Sequence, residues 1–254
     1  MLKILLNKKK ATVWAIVCIL ILFGSTISAG YTLQITSSHD DFKTGNDTTE
    51  VKIRSTDKAI NLYVGGSGPG NYSSIQNAID AANPGDTIFV FNGVYAEIIT
   101  IEKEISLIGE QKDLTIIDGG FTDTVVTIGN NMVNFSSFTV KNGNNHGIFI
   151  DNAHYASIKD VIIVDNEDYG IFASSAIGCV IENNTLTNNE NGIYVHLFSR
   201  YCLIRNNSIF NQTFIGLSIK NSYEINIEDN QLFNNSYGLR FYQSNDSIIC
   251  NNSI

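Results

Sequence analysis

Ile181-Glu-Asn-Asn184-Thr-Leu186-Thr-Asn188-Asn-Glu-Asn-Gly192-Ile193-Tyr-Val195 decides the fold, because its pattern returns along the chain. The same frame reads Ile204, Asn207, Ile209, Asn211, Gly216, Leu217 and Ile219, then Ile227, Asn230, Leu232, Asn234, Gly238, Leu239 and Phe241. Gly147, Gly170, Gly192, Gly216 and Gly238 are spaced 23, 22, 24 and 22 residues apart. Phe135, Ile158, Ile181, Ile204, Ile227 and Ile249 keep the same beat, at 23, 23, 23, 23 and 22. A period in this range marks a solenoid, whose repeats bury their apolar edges only by stacking on one another.

Each repeat holds three short stretches of alternating apolar and polar residues, and none has the length and spacing of a helix. Alternation with period two is the mark of a strand with one buried face. Two residues before the isoleucine comes a second inward position, filled by Val133, Ala156, Cys179, Cys202 and Ile225. The expected fold is therefore all-β: a single-stranded, right-handed parallel β-helix of about seven coils, 22–24 residues each, stacked about 4.8 Å apart. A leucine-rich repeat is the competing architecture. It places its Asn one residue later and has no room for a second strand after the glycine. Asn184, Asn207, Asn230 and Asn252 are expected to stack at a tight bend, where Asn tolerates left-handed backbone and amides bond along the column. The glycine column marks a second bend, where a Cβ would be a penalty.

The 254 residues carry a net charge of −9, and the first 29 contain four lysines and no acid, so the rest is more acidic still. Such a surface is a poor partner for nucleic acid or anionic lipid. Residues 1–29 read as a signal peptide, with an uncleaved membrane anchor as the alternative: lysines, an apolar run from Ala11 to Phe23, then Ile27-Ser28-Ala29. On this reading the protein is exported, to the periplasm, the cell surface or the extracellular space, and meets a membrane only through this segment. Residues 30–59 are polar and read as a loose linker, and residues 60–254 as the β-helix. Cys179 and Cys202 fall at one inward position of adjacent coils, so a disulfide between them and a pair of buried thiols both remain open.

Ahead of the repeats, Ser73-Ser-Ile-Gln76 reads as a capping box opening a short amphipathic helix with Ile75, Ala78, Ile79 and Ala82 on one stripe. That helix is expected to cover the open end of the solenoid. Tyr72-Ser-Ser-Ile75, Gly85-Asp86-Thr-Ile88, Gly93-Val-Tyr95-Ala-Glu97, Ile105-Ser-Leu107-Ile-Gly109 and Thr115-Ile-Ile-Asp118-Gly119 resemble the start of pectin-lyase-like β-helix proteins. The later Asn/Gly coils are similar to repeats of the NosD-type group. The resemblance implies a fold and a cap. It leaves activity open, since the superfamily includes lyases, hydrolases, esterases, epimerases and inactive surface proteins.

Gly93-x-Tyr95-x-Glu97 is similar to an early pectin-esterase motif, but the downstream carboxylate motifs of that chemistry are missing, and only Asn145-His146-Gly147 is similar to a polygalacturonase element. A lyase of this fold needs acids for calcium and a basic residue for proton abstraction. The outward column Lys159, Glu182, Arg205 and Glu228 offers such groups, yet its alternating signs favour a charge ladder. No cofactor is expected, calcium entering only with the lyase alternative. His39, His146, His154 and His196 show no metal-ligand spacing, so no metal site is expected either.

One outward column is aromatic where solvent-facing strand positions are ordinarily polar: Phe149, Phe172 and Tyr194, continued by Ser218 and Arg240. Phe149, Phe172, Tyr194 and Arg240 are the candidate ligand-binding residues, as a platform for sugar rings or a protein partner, unless a neighbouring segment covers them. The leading expectation is an exported β-helix protein that binds polysaccharide or a cell-surface protein without catalysis. A polysaccharide lyase or hydrolase is the second, and a NosD-like periplasmic accessory protein the third. The chain stops in mid-coil at Asn251-Asn-Ser-Ile254, so a longer polypeptide is expected.

Overall fold

The computed structural model describes residues 31–36, 50–55 and 59–254, which fall into two units divided after residue 58. The expected signal segment lies outside the described residues. In the smaller unit, Tyr31–Thr36 pairs antiparallel with Glu50–Ser55. The linker reading of 30–59 did not foresee these strands.

The larger unit is a three-faced parallel solenoid. Its first sheet has nine strands, from Asn61–Val64 to Ile248–Cys250. The second and third have seven each, running from Gly93–Tyr95 to Gln231–Phe233 and from Ile99–Ile101 to Tyr237–Tyr242. The first sheet thus makes more turns than the seven expected, because Asn61–Val64, Thr87–Val90 and Ser106–Gly109 all precede the periodic pattern. Register follows the beat of the sequence: Phe135, Ile158, Ile181, Ile204, Ile227 and Ile249 are successive partners in the first sheet. The first five of these side chains are buried, as are Val133, Ala156, Cys179, Cys202 and Ile225. No helix interrupts the repeats, which rules out the leucine-rich architecture.

The Asn column stacks and its amides bond from turn to turn as expected, but its Asn residues are not the left-handed ones. Asn184, Asn207 and Asn230 point inward and are buried. The left-handed residue is the one before each, at Asn183, Asn206 and Asp229, with φ of 57°, 53° and 56°. That turn aims the following amide into the core. Each ladder carbonyl then accepts from the backbone and side-chain nitrogens of the turn before it, while each Nδ2 donates to a first-sheet carbonyl such as Ile158 O or Ile181 O. The buried amides of the ladder are thereby paired with one another and with the backbone. A second ladder, Asn166, Asn189, Gln212 and Asn235, does the same at the next bend. The repeat glycines beside it have ordinary φ. They are needed for space: a Cβ on Gly170 would lie 2.9 Å from Gly192 O and 3.1 Å from Asn189 Nδ2.

The cap, helix α1 (Ile75–Ala81), is seven residues long and buries Ile75, Ala78 and Ile79. Its N-cap is Ser74, one residue after the start of the expected box. Gln76 does not close that box. Glu97, from the first coil, accepts from Ile75 N at 3.0 Å and Gln76 N at 3.1 Å. At the other end, Lys103 Nζ donates to the carbonyls of Ile79, Asp80 and Ala82. Opposite charges thus sit at the two ends of the helix dipole, which lets so short a helix persist. Glu97 of the esterase-like motif is therefore a capping residue, and Tyr95 anchors the turn through Phe91 O at 2.8 Å.

Candidate functional site

The outward column Phe149, Phe172, Tyr194, Ser218, Arg240 is in register on the third sheet. Phe149 and Phe172 stack with centroids 5.1 Å apart, and Phe172 and Tyr194 at 5.2 Å. The column is not an open platform along its whole length. His146 sets its ring edge against Phe149 and Phe172. Tyr169 lies tilted on Phe172 at 5.4 Å and stacked on Tyr194 at 4.8 Å. The two phenylalanines are thus the half-buried base of a small aromatic cluster. His146 comes from the bend just before the strand Ile148–Asp151, and Tyr169 opens the strand Tyr169–Ser174.

Toward the later coils the cluster opens into a cleft of about 470 Å³. Tyr194, Ser218 and Arg240 line its floor, with Lys220 and Tyr242 beside them and Asp168, Tyr169, Glu190 and Phe214 on the bend side. Of the four ligand-binding candidates, Tyr194 and Arg240 reach this cleft and Phe149 and Phe172 do not. Asp168, Tyr169, Glu190, Lys220 and Tyr242 were missed, although their spacing carries a signal. Asp168 and Glu190 stand two residues before a bend glycine, and Lys220 and Tyr242 four residues after one.

Burial shapes the electrostatics. It lowers the His146 pKa to about 4, so the ring is neutral near pH 7. Its Nδ1 lies 3.6 Å from Asp168 Oδ2, beyond hydrogen-bond reach, and has no partner. Burial, and secondarily the Glu190 charge, raises the Asp168 carboxyl above its usual range. The Tyr169 hydroxyl is pushed up to about 12, by burial first and Asp168 second.

The other candidate column, on the first sheet, is tied up within itself. Lys159 Nζ is 3.0 Å from Glu182 Oε2, and Arg205 Nε is 2.6 Å from Glu182 Oε1. Arg205, then Lys159, hold the Glu182 carboxyl below its ordinary value. Glu228 follows Arg205 in register, and its Oε2 is 4.0 Å from Cys250 Sγ. Such an ion-paired triad is a surface clamp between coils. Cys179 and Cys202 lie buried as free thiols, each pointing its sulfur at a core carbonyl, Ala153 O and Ala176 O. The neighbouring Cys202 thiol, together with burial, raises the Cys179 thiol.

This stacked, Asn-laddered architecture with a helix over its first turn defines a right-handed parallel β-helix of the pectin-lyase-like superfamily. The family described as "Periplasmic copper-binding protein (NosD)" matches residues 79–254, and the chain belongs to it. Among solved structures it is similar to pectate lyase Pel9A, at 15% identity and TM-score 0.61, covering 70% of this chain and 55% of the lyase. It is also similar to a pectin methylesterase in complex with a hexasaccharide, at 17% identity and TM-score 0.51, covering 65% of each. A third likeness is to the A-module of a mannuronan C-5 epimerase from Azotobacter vinelandii, at 18% identity and TM-score 0.52, covering 75% and 76%. The chain therefore spans less than two thirds of the esterase and of the lyase. No curated protein matches it in sequence.

The family description names copper. Among the described residues, no three His, Cys, Asp or Glu side chains converge. His146 is walled in by rings. His196 lies stacked on Tyr194 at 5.2 Å, and the Cys179 and Cys202 sulfurs face core carbonyls. These residues do not assemble a copper ligand set.

Proposed function

We propose that this β-helix protein is exported and binds polysaccharide through the third-sheet cleft, without catalysis by the residues present. The observation that carries the reading is Tyr194, an outward aromatic ring held flat by Phe172 and Tyr169 at the floor of a cleft with polar walls. A ring fixed in this way offers stacking area at little entropic cost, and the surrounding Ser, Arg, Lys, Asp and Glu side chains supply hydrogen bonds to hydroxyls. A lyase or hydrolase centred on Lys159, Glu182, Arg205 and Glu228 gains no support, because three of these four are engaged with one another.

Isothermal titration against a panel of oligosaccharides tests the reading. Tyr194→Ala is expected to weaken binding roughly tenfold, the loss of one stacked ring. Lys159→Ala, on another face, is expected to leave binding unchanged. Equal affinity of wild type and Tyr194→Ala for every saccharide that binds would remove the cleft from consideration.

A further inference from the structure

The cleft carries both signs of charge, sorted along the rod. Asn191 N donates to Asp168 O at 2.9 Å and Phe214 N to Glu190 O at 2.8 Å, so Asp168 and Glu190 occupy the same corner of adjacent turns. Lys220 pairs in register with Tyr242, and Ser218 with Arg240, so the cations occupy the next two turns. At one strand spacing per turn, the acidic and basic halves are centred about 10 Å apart.

Neither half is neutralised from within. Among the described residues, no Lys or Arg nitrogen lies within 4.0 Å of the Asp168 or Glu190 carboxylates, and no carboxylate lies that close to Lys220 or Arg240. His146 stands beside Asp168, but burial keeps it uncharged. Lys220 rests instead over the Tyr242 ring, 5.6 Å from its centroid. Elsewhere the same protein pairs its charges, as Glu182 does with Lys159 and Arg205. Unpaired acids and unpaired bases sharing one partly enclosed groove are therefore a distinct arrangement. Asp168 and Lys220 are half-buried, and Glu190 and Arg240 stand exposed beside them, so an incoming group of opposite sign gains charge-assisted hydrogen bonds at each half.

We propose that the cleft recognises a zwitterionic polysaccharide segment, with an amino-sugar ammonium beside Asp168 and Glu190 and the carboxylate of a neighbouring uronic acid between Lys220 and Arg240. This rests on the saccharide-binding reading and adds the ligand's charge pattern. Tyr194 lies on the same turn as Glu190 and serves as the stacking surface between the two halves. A uniformly anionic chain would bring a carboxylate against the acids, and a uniformly cationic chain would bring an ammonium against Lys220 and Arg240. Each is penalised at one end of the groove.

Three oligosaccharides of equal length, titrated calorimetrically at low salt, test this. The first alternates glucosamine and glucuronate, the second is its N-acetylated and purely anionic counterpart, and the third is a purely cationic glucosamine oligomer. The first is expected to bind at least about tenfold more tightly than either of the others. Glu190→Gln is expected to erase its advantage over the anionic counterpart, and Arg240→Gln its advantage over the cationic one. Both side chains are exposed, so both variants fold. Equal binding of the first and second compounds, with Tyr194→Ala weakening both, would overturn the zwitterion inference and leave saccharide binding standing. Failure of Tyr194→Ala to weaken any of them would bring down both.

Discussion

Asn207 accepts two hydrogen bonds from Asn184 on the neighbouring turn, one from its backbone N at 3.0 Å and one from its Nδ2 at 3.1 Å. Its own Nδ2 donates to Ile181 O at 2.9 Å and to Asn230 Oδ1 at 2.9 Å. Asn207→Leu keeps the branched shape of the side chain, though not its volume, and strands several of these buried groups. The expected loss is roughly 3 kcal/mol or more, read as a lower urea midpoint. An unchanged midpoint would mean that the ladder adds nothing to stability.

Gly192→Ala is expected to destabilise by about 1–3 kcal/mol, because its Cβ would meet Gly216 O and lie 2.6 Å from Ile209 Cγ2. Gly120 makes the contrast. It has φ of 59° and open space around it, so Gly120→Ala is expected to cost only the conformational strain, about 1–2 kcal/mol. Thermal unfolding of the two variants separates crowding from backbone strain.

Glu182 links its pairing to pH. The folded-state pKa is depressed, by Arg205 first and Lys159 second. Its contribution is therefore present above the ordinary carboxylate value and is lost as pH falls through the lowered one. Lys159 and Arg205 are 42% and 40% exposed, which limits the contribution to about 1 kcal/mol or less. Glu182→Gln is expected to be less stable than wild type at pH 7 and equal to it in strong acid. A constant difference across the titration would count against the ion pairs.

His146 runs the other way. A base whose folded pKa is about 4 against an ordinary 6.5 binds its proton mainly in the unfolded state. Stability is therefore lost as pH falls from near 6.5 toward 4. Asp168, raised in the fold, opposes this in part. Proton NMR of the His146 ring is expected to show no titration between pH 8 and 5. A midpoint near 6.5 would show that Phe149, Tyr169 and Phe172 do not enclose it.

Cys179 and Cys202 are expected to resist a thiol reagent in the native protein and to react on denaturation, both sulfurs being buried. Intact mass after denaturing alkylation also tests the disulfide. Failure of these two to alkylate without reductant would show that they had become oxidised to one another, which the closeness of adjacent turns permits.

The first-sheet partners Phe135 to Ile249 were legible because a solenoid turns sequence period into spatial neighbourhood. The inward column at Val133 to Ile225 followed for the same reason, as did the alternating charges of Lys159, Glu182 and Arg205. The cap was legible as a helix, but its N-cap was misplaced by one residue and its carboxylate partner is Glu97, 22 residues after Ile75. Nothing local announces such a partner. The aromatic column is in register as read, yet its exposure depended on a bend residue and on the first residue of a strand. His146 and Tyr169 fold over Phe149 and Phe172, while the corresponding bend leaves Tyr194 and Arg240 open to the cleft.

What the amino-acid order settled alone is the stacking of turns and which side chains share a column, since both are repeats of one backbone conformation read at a fixed interval. What required three dimensions is how far each bend carries its side chains across the neighbouring sheet. That distance depends on left-handed residues and bend packing that vary from turn to turn. The cleft, its sorted charges and the covering of Phe149 and Phe172 all arise there.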